Sequence, residues 1–156
     1  MKPQNPNRVI RHGTAVLVSG GDHPPAAVFI RGASGSGKSD LAFRLLGLGG
    51  TLISDDQVEL EKRQDRIYAG AVDAIRGLIE VRGIGLLRYP VADPAPLKLV
   101  IDLVPREDVP RMPDMQTMDI LGVSIPLFKL YAFDASSVHK LRAALAVVHR
   151  PEMIVK

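Results

Sequence analysis

Eight residues constrain this chain more than any others: Gly32-Ala33-Ser34-Gly35-Ser36-Gly37-Lys38-Ser39. They follow a short apolar segment, Val28-Phe29-Ile30-Arg31. They run directly into Lys38–Leu48, where Leu41, Ala42, Leu45 and Leu46 share one helical face. Strand, glycine loop and helix in that order, with the spacing G-x-x-x-x-G-K-[ST], describe a phosphate-binding loop. Each residue type has a physical reason. Gly32, Gly35 and Gly37 allow backbone angles that turn several N–H groups inward, forming an anion nest. The helix start adds its dipole to the same spot. Lys38 supplies a mobile point charge for β- and γ-phosphates, and the Ser39 hydroxyl suits Mg²⁺. A chain of this kind is expected to hold the phosphate tail of ATP.

A second polar constellation follows one helix later. Thr51-Leu52-Ile53-Ser54 reads as a strand ending in Asp55-Asp56. In phosphate-loop proteins a carboxylate at the end of a neighbouring strand faces the phosphates and the metal. Adjacent strand residues point to opposite sides, so the two are expected to divide the work. One would hold the metal, directly or through water, and the other would accept a proton from an attacking hydroxyl. The sequence leaves open which does which.

The remaining chain reads as one strand-rich α/β domain. Strands are expected at Ala15–Val18, Val28–Arg31, Thr51–Ser54, Val58–Glu61, Ile67–Ala69, Gly85–Leu87, Leu97–Val104 and Ser124–Ala132. The first two flank the breaker cluster Gly20–Pro25 and should be neighbours. Leu97–Val104 has the apolar run of a buried strand. A second helix is expected over Ser136–His149, with Val138, Leu141, Leu145 and Val148 in one stripe and Asp134 or Ser136 as cap. Asp73–Ile79 reads as a short helix and Pro105–Asp119 as a mobile surface loop. The expected organisation is a flexible tail over 1–11, a single catalytic domain over 12–150 and a short tail over 151–156.

Composition narrows the function classes. The chain has 156 residues, no cysteine and no tryptophan. Disulfides, thiolate metal sites and thiol nucleophiles are thereby excluded. The net charge of +3 is spread out rather than gathered into a basic run, so nucleic acid is not expected as a partner. Met1–Asn7 is polar and lacks a cleavage pattern, and no stretch reaches the roughly 18 apolar residues of a membrane span. A cytoplasmic protein without membrane contact is expected.

The segment Gly77-Leu78-Ile79-Glu80-Val81-Arg82-Gly83-Ile84-Gly85-Leu86-Leu87 is similar to the signature of the bacterial HPr kinase/phosphorylase family. His12-Gly13 before a strand, the phosphate loop and Ser54-Asp55-Asp56 agree with that family in order and spacing. Leu121-Gly122-Val123-Ser124-Ile125-Pro126 agrees more weakly. The resemblance extends from about His12 to about Leu141. It implies a P-loop domain of the phosphoenolpyruvate carboxykinase-like type, with a P-loop helix and a C-terminal helix. It further implies transfer of phosphate from ATP, with Mg²⁺, to a serine of HPr, the small phosphocarrier of the phosphotransferase system. A homo-oligomer, a hexamer in the family, would carry it out. Lys38 matches the phosphate lysine, Ser39 and Glu80 the metal ligands, Asp55 and Asp56 the acid/base pair, and His12 an active-site histidine. Arg82 shares the signature and could touch phosphate. Read without the family, Glu80 is a carboxylate among apolar residues and glycines, costly unless metal-bound or paired with Arg82 two residues on. His12 by itself is equally a structural histidine.

Two departures from the family pattern carry expectations. Only about eleven residues precede His12, so the family's N-terminal regulatory domain is not expected here. The family's Pro-Gly-Arg-Asn element is replaced by Phe133-Asp134-Ala135-Ser136-Ser137. That arginine is tied to removal of the phosphate by phosphorolysis, so the reverse activity is expected to be weak or absent. A P-loop kinase with another acceptor, or a module that binds ATP without consuming it, are the alternatives.

Overall fold

The structure, a computed structural model, describes residues 5–155. Residues 1–4 and 156, parts of the two expected tails, lie outside it. The chain begins with β1 (Arg8–His12), β2 (Thr14–Val18) and β3 (Ala26–Gly32), then α1 (Lys38–Gly47). Next come β4 (Thr51–Ser54), β5 (Gln57–Arg63), β6 (Arg66–Gly70) and a hairpin of β7 (Leu78–Val81) and β8 (Gly85–Arg88). β9 (Ala95–Leu103), β10 (Gln116–Ile120), β11 (Val123–Leu130) and α2 (Ser137–His149) complete it. Single 3₁₀ turns occur at Asp73–Ile75, Arg106–Asp108 and Pro151–Met153.

Among the described residues, nine strands form one mixed sheet, in which β3 lies between β9 and β2, and β2 between β3 and β4. β9 is parallel to β3 along its length. On its other edge, its start pairs antiparallel with β6 and its end pairs parallel with β11. The sheet therefore forks: β6, β5 and β1 leave in one direction, β11 and β10 in the other. β7 and β8 form a separate two-stranded ribbon.

The central strands are apolar on both faces because both are covered. Val16, Val28, Ile30, Leu99 and Ile101 pack under Leu41 and Leu45 of α1, Leu141 and Leu145 of α2, and Ile79 of the ribbon. The alternate residues Ala15, Ala27, Phe29 and Val100 meet Ile53, Leu60, Ile67 and Leu127, where the forked strands curl back. Each such leucine or isoleucine contributes about 1.5–3 kcal/mol by leaving water. The strand-rich α/β architecture with a loop helix and a C-terminal helix matches the sequence expectation, and the mixed strand directions separate it from the all-parallel phosphate-loop folds.

Four local expectations are corrected. The tail assigned to 1–11 contains β1, whose residues Arg8–His12 pair antiparallel with Gln57–Glu61. Its residues are mostly exposed, so it carries little apolar signal. The short helix over Asp73–Ile79 is a single 3₁₀ turn followed by β7, because Gly77 at φ 78° breaks the helix between them. The surface loop over Pro105–Asp119 contains a 3₁₀ turn and most of β10, which pairs with β11. Neither Asp134 nor Ser136 caps α2 through its side chain. Asp134 instead accepts from Arg106, and its N–H donates to the Ser137 hydroxyl.

Candidate functional site

β3, β4, β9 and β11 all end at the same edge of the sheet, and β2 begins there. The glycine loop leaves β3 at that edge. Gly35 and Gly37 stand at φ 81° and 100°, left-handed angles that turn successive N–H groups toward the concave side. Gly32 has no room for a side chain: a Cβ there would lie 2.4 Å from the Ser36 hydroxyl. That hydroxyl is buried and has no hydrogen-bond partner.

Lys38, the first residue of α1, is only 9% exposed. Its Nζ donates to the carbonyls of Gly32 and Ala33 at 2.8 and 3.0 Å. Among the described residues no carboxylate pairs with it. A buried ammonium held by carbonyls alone is electrostatically uncompensated and calls for an anion.

Ser39, one residue on, donates its hydroxyl to Asp55, 2.8 Å from Oδ1 and 3.1 Å from Oδ2. Asp55 is 7% exposed. Thr14, fully buried at the start of β2, donates to the same Oδ1 at 2.8 Å. A register shift between β2 and β4 at Ala15/Val16 accompanies this turn of the chain. β4 ends at Ser54, so Asp55 and Asp56 lie in a turn rather than on strand faces. The turn is fastened by Gln57 N–H to Asp55 O at 2.8 Å and by the Ser54 hydroxyl to Gln57 O. Asp56 sits at φ 70°, a conformation that aspartate tolerates better than most residues. The division of the pair thus arises from a turn, not from strand alternation. Asp55 points inward to Ser39, while Asp56 faces solvent with its Oδ1 3.5 Å from His12 Nδ1. His12 closes β1 and is itself exposed.

The structure therefore brings together the loop residues 32–39, with Lys38 and Ser39, and Asp55, and sets Asp56 and His12 side by side at the next turn. Among the described residues, no hydrogen bond or ion pair joins Glu80 or Arg82 to any of them. Ile79 and Val81 are buried toward α1, so Glu80 between them turns outward and is exposed. No ion pair joins it to Arg82, which lies in the turn between β7 and β8. Among the described residues no three His, Asp or Glu side chains form a ready-made metal cage.

Three contributors escaped sequence reasoning. Thr14 is the hydroxyl that fixes Asp55, and a lone Thr opening the apolar run Thr14-Ala15-Val16-Leu17-Val18 was its faint trace. Arg31 and Asp102 form a bidentate pair, 2.7 and 2.8 Å, across β3 and β9 directly before the loop. Charges at the ends of otherwise apolar strands were the visible sign. Arg44 of α1 donates to the carbonyls of Ala132 and Asp134, tying the segment after β11 to the loop helix. A cavity of about 360 Å³ between the Gly21–His23 loop and α2, lined by His139, Arg142 and His149, shares no residue with this site.

No helix among the described residues is long and apolar enough to cross a membrane. Compared with known proteins, the chain is 44% identical over 81 residues to an HPr kinase/phosphorylase of Caldicellulosiruptor bescii, covering 51% of this chain and 24% of that protein. It is 36% identical over 134 residues to one of Cupriavidus metallidurans, covering 79% of this chain and 40% of the relative. The chain thus spans well under half the length of these curated relatives. The solved structure of the Hpr(Ser) kinase/phosphatase from Coxiella burnetii superposes with a TM-score of 0.76 at 25% identity, covering 93% of this chain and 92% of that one. Residues 6–154, the whole forked sheet with both helices, match the family described as HPr Serine kinase C-terminal domain, and the chain belongs to that family.

Proposed function

We propose that the chain transfers the γ-phosphoryl group of ATP to a serine hydroxyl of an HPr-type phosphocarrier protein, in the cytoplasm and as a homo-oligomer. The observation that carries this reading is the buried Lys38 ammonium, held by two loop carbonyls and lacking a counter-ion. Triphosphate oxygens entering the nest formed by residues 32–39 would supply the missing negative charge.

The donor set beside the loop suits Mg²⁺, which prefers hard oxygen ligands. The Ser39 hydroxyl and the Asp55 carboxylate already lie within 2.8 Å of each other and would hold it. The exposed carboxylate of Glu80 is available to add another oxygen. Bound there, the ion would neutralise charge on the β- and γ-phosphates. Thr14 keeps Asp55 oriented by donating to Oδ1. Asp56, exposed and beside His12, would receive an incoming serine hydroxyl and take its proton. His12 would steady that carboxylate, and Arg82 is free to meet phosphate from the hairpin. Catalysis in this scheme is positioning and charge neutralisation.

The test is incubation with labelled ATP, Mg²⁺ and HPr, with Lys38→Ala alongside. Label on an HPr serine with the unaltered protein, and none with Lys38→Ala, is the expected result. ATP binding without label on HPr would end the HPr-kinase reading and leave a kinase with another acceptor or an ATP-binding module. Label with Lys38→Ala would refute the lysine's role.

A further inference from the structure

We propose that Phe133 is the stacking platform for the nucleotide's base, a refinement that rests on the nucleotide reading above. Phe133 is 53% exposed, although Ala132 before it is buried. Its ring lies against the phosphate loop: a Cβ added at Gly37 would come within 2.9 Å of the Phe133 ring and 2.6 Å of the Ala132 methyl. Gly37 immediately precedes Lys38, so the ring stands at the rim of the nest, on the side where α1 begins.

The segment is held firmly. Arg44 donates to the carbonyls of Ala132 and Asp134. The Ser137 hydroxyl donates to Tyr131 O and accepts from the Asp134 N–H. Tyr131 meets Phe133 edge-on, with ring centroids 5.6 Å apart. The Arg106 guanidinium covers Tyr131 at 4.7 Å and is anchored to Asp134. Tyr131 is thus already engaged, and Phe133 is the aromatic surface left open. A large apolar ring on a fixed backbone loses little entropy on receiving a flat partner. Base-on-aromatic stacking is tolerant of base identity and typically worth tenfold or more in affinity.

Calorimetric titration in Mg²⁺ with ATP and with inorganic tripolyphosphate, which has no base, separates the possibilities. Phe133→Ala is expected to weaken ATP about tenfold or more and to leave tripolyphosphate unchanged. The chain contains no tryptophan, so Phe133→Trp provides a single indole, expected to be quenched by ATP and not by tripolyphosphate. If Phe133→Ala binds ATP as the unaltered protein does, the platform is refuted while the nucleotide reading stands. The same holds if both ligands weaken equally, or if the only change is a higher KM for the protein acceptor. If the unaltered protein binds neither ligand, the nucleotide reading itself fails and the platform with it.

Discussion

Asp55 and Asp56 are adjacent in the chain yet occupy different media. Asp55 is buried and receives hydroxyls from Thr14 and Ser39; Asp56 is open to water beside His12. A buried carboxylate with fixed donors is suited to hold a cation, and an exposed one to exchange a proton with an arriving substrate. Asp56→Asn is therefore expected to lower kcat by about 10²–10⁴ with ATP affinity unchanged. Asp55→Asn is expected to weaken Mg²⁺-dependent ATP binding itself. Steady-state kinetics combined with Mg²⁺ titration checks both, and the opposite assignment would reverse the two outcomes. The sequence made the pair legible, since two carboxylates ending a strand after a phosphate loop are a recognisable pattern. It could not separate them. The separation depends on a left-handed residue at 56 and a hydroxyl at 14, contacts between segments forty residues apart. Glu80 shows the reverse case: its apolar neighbours suggested a costly buried charge, but strand alternation turns it to solvent.

Among the elements, those with a strong apolar period were readable and those without were not. β3, β9, α1 and α2 bury continuous stripes, so their residues announce them. β1 and β10 are edge strands with exposed polar residues, and their pairing is set by partners distant in sequence. β1 is held to β5 by a five-residue antiparallel ladder, with an exposed charge cluster at one end. Arg8 bonds Glu61 and lies 3.3 Å from Glu59, while Arg63 bonds Glu61 at 2.6 Å. The hydrogen bond from Arg63, followed by that from Arg8, holds the Glu61 carboxyl below its ordinary range. A carboxylate depressed in the folded state stabilises fully above its unfolded value, and the contribution fades as pH falls through the folded value. Glu61→Gln is thus expected to lower Tm at pH 7 by about 2 °C, given how exposed the cluster is. The gap between variant and parent should close in acid, below the ordinary glutamate range. Thermal melts from pH 7 to pH 3 test this, and a gap that widens in acid would contradict it. Because β1 ends in His12, the same clamp helps set the histidine beside Asp56.

For the whole molecule, the sheet edge that gathers the ends of β3, β4, β9 and β11 decides what the site can do in each direction. The forward transfer proposed here would use the nest, Lys38, the Ser39–Asp55 pair and Asp56 as proton acceptor, all gathered near that edge. Dephosphorylation by phosphorolysis, in which inorganic phosphate takes the phosphoryl group from phosphoserine and leaves as pyrophosphate, must also hold that phosphate beside the phosphoprotein, and a further cation would be needed there. The segment after β11 is where the family resemblance puts an arginine, and here it offers exposed Ser136. The two arginines that reach this segment are already engaged. Arg44 binds two of its carbonyls and Asp40, and Arg106 binds Asp134 and stacks on Tyr131. Release of either would unfasten the loop that positions Phe133. Phosphorolysis of serine-phosphorylated HPr is therefore expected to run at least about 10²-fold below forward transfer, the usual cost of one missing charge stabiliser. Ser136→Arg is expected to raise the reverse rate and leave the forward rate near its starting value. Single-turnover measurement of both directions at saturating phosphate and ATP decides the matter. Reverse transfer as fast as forward in the unaltered chain would mean that another cation, Arg82 of the β7–β8 turn foremost, reaches the phosphate.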